Sequence, residues 1–246
     1  SAVARDSNNR AAVTRGPRKC SAEMFVVYLY LTAALSPYVA RNAHVISSRL
    51  THAQAVANRV RDLDLPKVVV FDLDGCLWFP DMYMLWGGGS PFTVRDDGDL
   101  HDRDCKRVFL LGDVRRILYE LQTAPQWEGG IVAVASCTDE PNWARECMRK
   151  FEVGPIGSGV NIDECINIEE IAKGNKQGHI KRIAKKASVA FEDMLFFDNE
   201  RGNCVDVAAL GVTVAWVPDG VTAGAWEQSI ERFPDAGSIF DFRMGG

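Results

Sequence analysis

The run Val68-Val69-Val70-Phe71-Asp72-Leu73-Asp74-Gly75 passes from four β-branched or aromatic residues to two carboxylates spaced i, i+2, and then to a glycine. An apolar run without polar alternation reads as a strand buried on both faces, the kind found in a parallel sheet flanked by helices. Open α/β sheets bind ligands at the carboxyl ends of such strands. Two acids on one tight turn there are costly to desolvate unless a cation or a proton transfer employs them.

Downstream, the chain alternates. Residues 76–111 form a loop-rich insert, with Gly87-Gly88-Gly89-Ser90-Pro91 irregular and Phe92 to Leu110 predicted as a hairpin around Asp97-Gly98. Asp96, Asp97, Asp99, Asp102 and Asp104 lack the twelve-residue register and terminal glutamate of a calcium loop, and are expected to form a solvated face. A helix follows Asp113. Strands are then expected at IVAVAS (131–136), CINI (165–168), DMLFFDN (193–199) and, as the last, GVTVAWV (211–217). Between them run helices over 141–151, around Ile180 to Ala187, over 205–210 and over 223–233. The lone GxG at 157–159 reads as a loop. Alternating strands and helices imply right-handed crossovers and a three-layer α/β/α sandwich on a central parallel sheet, with a small hairpin flap inserted after the first strand.

The division expected is a basic and then hydrophobic segment over 1–43, an amphipathic helix over 44–65, the catalytic domain over 66–234 and a tail over 235–246. Arg5, Arg10, Arg15, Arg18 and Lys19 lead into an apolar run ending near Ser36-Pro37, a pattern like a targeting signal but short for a membrane span, which needs about 20 residues. Membrane contact is expected only through residues 24–40. The location implied is the secretory pathway or an organelle if that segment targets, and the cytoplasm otherwise. A net charge of -5 argues against a nucleic-acid surface. Seven cysteines without CxxC spacing argue against a disulfide framework or structural zinc.

Asp72/Asp74, Ser136, Lys176 and Asp198-Asn199 lie at strand ends or helix starts, separated by 64, 40 and 22 residues. A parallel sheet brings all four to one edge. In this order they resemble the four motifs of the haloacid dehalogenase-like hydrolases: VVVFDLDGC, IVAVAS, a lysine, and LFFDN. A closer resemblance, over Lys67 to Thr222, is to the magnesium-dependent phosphatases, a branch with only a small insert in place of a cap. It rests on FDLDxxLWxP (Phe71 to Pro80, with one extra residue), PFxxxxDG (Pro91 to Gly98), Ser136 to Thr138, Gly174 to Lys176, Phe196 to Glu200 and Asp206 to Thr213.

That resemblance implies a phosphatase in which Asp72 attacks phosphorus to give an aspartyl phosphate and Asp74 is the acid/base. A carboxyl at position 74 favours hydrolysis of that intermediate; pumps of the superfamily carry Thr there. Magnesium is implied, held by an Asp72 oxygen, the Asp74 carbonyl and an oxygen of the Asp198-Asn199 pair. Ser136 and Lys176 would hold the phosphoryl oxygens, with Cys137 beside them. Two departures stand out. The family has a second aspartate where Asn199 stands; the carboxy-terminal-domain phosphatases resemble this chain there, with Asp-Asn. It has an arginine where Cys137 stands, so a fork-shaped clamp is missing. Cys137 and Cys76 read as small neutral fillers rather than redox switches. The substrates implied are a phosphoprotein side chain of the phosphotyrosine type or a sugar phosphate. The alternatives are a protein serine phosphatase like the carboxy-terminal-domain group, or a non-catalytic phosphate-binding scaffold.

Overall fold

Strand β1 (Val68–Phe71) sits in the middle of a six-stranded parallel sheet. The structure, a computed structural model, describes residues 64–243; the targeting-like segment and residues 44–63 of the expected amphipathic helix lie outside the described residues, and residues 64–65 are not helical. The chain next builds a small antiparallel flap from β2 (Trp78–Phe79), β3 (Thr93–Val94), β4 (Leu100–His101) and β5 (Arg107–Leu110), in the order β2-β5-β4-β3. Helix α1 (Val114–Thr123) returns to β6 (Ile131–Ser136), which pairs with β1 on one side. Helices α2 (Pro141–Lys150) and α3 (Ile162–Cys165) then lead to β7 (Ile168–Ile171), an edge strand. Helix α4 (Lys176–Ala187) crosses back to β8 (Met194–Asp198), the other neighbour of β1. Helix α5 (Arg201–Ala208), β9 (Thr213–Trp216), α6 (Ala223–Arg232) and β10 (Ile239–Asp241) complete the sheet, in the order β10-β9-β8-β1-β6-β7.

The unbroken apolar character of β1 follows from this central position. Val69 and Phe71 pack on one face with Val132, Leu195, Phe197 and the apolar stripes of α1, α2 and α6. Val68 and Val70 pack on the other with Ala133, Phe196, Val214, α4 and α5. Fully burying each such side chain contributes roughly 1.5–3 kcal/mol. Both faces are covered, as the three-layer reading requires.

Four expectations shift. The strand that follows is Ile168–Ile171, beginning at the last residue of CINI; Cys165 instead ends a helix over Ile162–Cys165 that is opened by a capping box between Asn161 and Glu164. Helix α5 begins at Arg201, not Val205. Strand β9 is not the last, because the segment expected as a tail supplies β10, whose register pairs Phe240 with Ala215. The flap hairpin turns at Gly98 as expected, with φ +81°. Its acids are not all solvated: Asp99 and Asp102 are buried, and Asp102 accepts from the N–H groups of Gly89, Asp104 and Lys106.

Candidate active site

Asp72 emerges where β1 ends, between the carboxyl ends of β6 and β8; its N–H donates to Phe197 O at 2.9 Å. Leu73 then turns the chain, accepting from the N–H groups of Cys76 and Leu77, so that Asp74 also faces the sheet edge. Gly75 takes φ +72°, and a Cβ there would meet Asn199 Nδ2 at 2.3 Å. Glycine is required on both counts.

Lys176 opens α4. The Asn175 side chain caps that helix by accepting from Gly178 N–H at 2.8 Å, which fixes where the lysine stem begins. The ammonium, only 2% exposed, donates to Asp72 Oδ1 and to Ala135 O at 2.6 Å, and lies 3.2 Å from Asp198 Oδ2. Those contacts match its three N–H donors. In this geometry the ammonium orients Asp72 and neutralises the two buried acids. Its pKa is raised: burial opposes the charge, but Asp72 and Asp198 outweigh it.

Asp198 is fully buried, and its oxygens are occupied. Oδ1 accepts from Glu200 N–H at 2.7 Å, Asn203 Nδ2 reaches both oxygens at 3.2–3.3 Å, and Oδ2 faces Lys176. Burial and the charge of Asp72 push this carboxyl up, against Lys176 and the two hydrogen bonds. Asn199 differs: its Oδ1 is buried with no hydrogen-bond partner. Of the pair, Asn199 has the spare oxygen. An unsatisfied amide oxygen, a carboxylate and a backbone carbonyl make a hard all-oxygen donor set, and these residues fit magnesium. Among the described residues no group of three His, Cys, Asp or Glu side chains could hold a metal ion, so this set depends on the amide and carbonyl oxygens beside the carboxylate.

Asp74 is half-buried, and burial lifts its pKa to about 6, against a hydrogen bond from Trp78 and with a further push from Asp72. Ser136 is buried at the end of β6, where its Oγ accepts from Thr138 N–H at 3.3 Å. Cys137 Sγ donates to Gly174 O at 3.2 Å, and burial raises the thiol pKa, so it is a protonated wall residue. Cys76 is buried and its thiol is pushed far up by burial, in keeping with a filler. The six described cysteines are all free.

Asp72, Asp74, Ser136, Cys137 and Lys176 line one cavity of about 300 Å³. Four of its other walls were not singled out as site residues in the sequence: Asp81, Tyr83, Glu200 and Asn203. The signal for Glu200 lay in the motif from Phe196 to Glu200; Asn203 sits in the first turn of α5, where its side-chain amide donates to Asp198. Asp81 and Tyr83 had no such signal. The Asp81 carboxyl is raised by burial, then by Asp72 and Glu200.

Residues 64–236 match the acid phosphatase family. Magnesium-dependent phosphatase 1 of Homo sapiens is 33% identical over 174 residues, covering 70% of this chain and 89% of its own length. A HAD-like hydrolase superfamily protein of Schizosaccharomyces pombe is 31% identical over 156 residues, covering 63% and 87%. Among solved structures, the N-terminal part of a Bacteroides fragilis protein, containing a phosphatase domain and complexed with Mg, aligns at 20% identity with a TM-score of 0.44, over 71% of this chain and 42% of that one. The chain belongs to the acid phosphatase family, within the haloacid dehalogenase-like magnesium-dependent phosphatases.

Proposed function

We propose that this phosphatase hydrolyses phosphomonoesters through an aspartyl phosphate on Asp72, and that its substrate is a phosphotyrosine-like side chain of a phosphoprotein. The observation that carries the reading is the opening of Asp72, Asp74 and Lys176 into one cavity. Asp72, held by Lys176, forms a bond to phosphorus while the ester P–O bond breaks. The leaving oxygen takes the proton of Asp74. The resulting Asp74 carboxylate then takes a proton from water as that water displaces Asp72, releasing inorganic phosphate. A carboxylate oxygen of Asp72, the Asp74 carbonyl and Asn199 Oδ1 would hold magnesium. When bound, the ion offsets the repulsion between carboxylate and phosphate and orients the phosphoryl group.

The choice of substrate rests on the cavity mouth. Tyr83, 58% exposed, lines it, and Trp86, 86% exposed, lies one turn farther along the same loop. Stacking on such a ring contributes roughly 0.5–1.5 kcal/mol to an aryl leaving group and less to a sugar. A mouth without a large cap leaves room for the chain that carries the aryl group.

The test is a panel of phosphotyrosine peptides, phosphoserine peptides and sugar phosphates, each with and without magnesium. The expected outcome is magnesium-dependent release with the highest kcat/KM on the phosphotyrosine peptides. Highest kcat/KM on sugar phosphates or phosphoserine peptides would overturn the substrate, and phosphate binding without turnover would overturn the reaction.

A further inference from the structure

Trp78 Nε1 donates to Asp74 Oδ1 at 2.8 Å. The indole has nowhere else to go: it is fully buried and stacks on Phe151 with centroids 6.2 Å apart and planes at 22°. Its backbone is pinned as well. Trp78 pairs with Leu110 in the flap, and its carbonyl accepts from Gly75 N–H at 2.9 Å. The turn that carries both acids is thus tied to the residue that grips one of them.

An indole N–H donates and never accepts. The carbonyl oxygen of a carboxylic acid is a stronger acceptor than its hydroxyl oxygen, so the indole N–H on Oδ1 favours the acid form with its proton on Oδ2. We propose that Trp78 is the positioning residue of the acid/base, holding Oδ1 as the carbonyl oxygen so that Oδ2 alone donates to the leaving group. The inference rests on the acid/base reading of Asp74. In the step concerned, an Asp72 oxygen bonds to phosphorus, the ester P–O bond breaks, and its electron pair takes the Oδ2 proton, leaving Asp74 as a carboxylate. Without the indole N–H, the carboxyl keeps only the weaker backbone hydrogen bond from Met82, and its proton is less firmly confined to Oδ2.

The test exploits the leaving group. An alkoxide must be protonated as it departs, whereas 4-nitrophenolate departs with little help. Trp78→Phe is expected to lower kcat/KM for an alkyl phosphate by about 10- to 100-fold, part of the 10²–10⁴-fold a general acid supplies, and that for 4-nitrophenyl phosphate by less than about three-fold. The ratio of the two is independent of the fraction of protein folded, so a merely structural role would leave it at the wild-type value. Should Trp78→Phe fail to fold, 3-benzothienylalanine at position 78 keeps the shape and stacking without the N–H. An unchanged ratio would overturn the inference. Asp74→Asn measured alongside separates the two failures: if that variant keeps alkyl phosphate turnover, the acid/base reading falls instead.

Discussion

Asn199 lies against Gly75 so closely that a Cβ at position 75 would stand 2.3 Å from its amide nitrogen. This contact joins the loop after β8 to the turn after β1. It also holds the unpaired Asn199 Oδ1 beside the residues that follow Asp72. Gly75→Ala is therefore expected to act twice. The left-handed φ costs roughly 1–2 kcal/mol for a residue with a Cβ, read as a lower urea midpoint. Displacement of Asn199 moves the magnesium activation curve to higher concentration, while Asn199→Ala moves that curve without the backbone penalty. An unshifted activation curve in both variants would remove Asn199 from the metal site.

Lys176 is the buried counter-charge to Asp72 and Asp198. Lys176→Met leaves two buried carboxylates facing each other, and losing one partner of a buried ion pair costs roughly 3–5 kcal/mol. Urea unfolding without metal is expected to show a loss of that size, with part of it recovered on adding magnesium. Turnover is expected to fall by at least about 100-fold, the scale of losing one well-placed electrostatic contact. Unaltered stability would mean that the lysine does not hold the two acids together.

Stability is expected to carry a signature of His179 on α4. This side chain is fully buried. Burial, with the charges of Arg182 and Lys176, holds its pKa below the usual 6.5, and Glu170 pulls weakly the other way. The folded pKa is the lower one, so the unfolded chain binds the proton first as pH falls. The stability from the neutral ring is present above about 6.5 and is lost as pH drops from there towards the folded pKa. Urea midpoints at pH 7.5 and pH 5.5 should differ more in the wild type than in His179→Leu; equal differences would contradict this.

Cys137 forms part of the cavity wall, with its thiol on the Gly174 carbonyl. Cys137→Arg places a guanidinium fork where a thiol stands, and such a fork matches phosphate oxygens in pairs. KM for an aryl phosphate is expected to fall several-fold, by roughly 1 kcal/mol of added binding, the net contribution of an ordinary hydrogen bond at an open site. No change in KM would place position 137 away from the substrate.

Much of the frame was readable because burial on both faces leaves an unmistakable mark. VVVF, IVAVAS and MLFF could only be central strands, and their order located Asp72, Ser136 and Asp198 at one edge. The misplaced strand β7 carries Glu169 and Glu170, which disguise it. At the sheet edge those acids find partners on helices, Arg145 for Glu169 and both Arg182 and Lys186 for Glu170. Strand β10 was hidden for another reason: three residues with only Phe240 buried make no pattern. Within the site, sequence could name the Asp198-Asn199 pair but could not divide its labour. That division depends on which oxygens are already bonded, and the bonds come from Lys176, Glu200 and Asn203. The grip of Trp78 on Asp74 likewise became visible only when the flap pinned the indole in place.

The covalent role of Asp72 can be read directly. Acid-quenching the enzyme during turnover of an aryl phosphate with magnesium, then reducing with borohydride, converts any acyl phosphate to homoserine that peptide mass spectrometry can locate. The account predicts homoserine at position 72, absent without substrate and absent from Asp72→Asn. Homoserine at position 74 instead, or full turnover by Asp72→Asn, would contradict it.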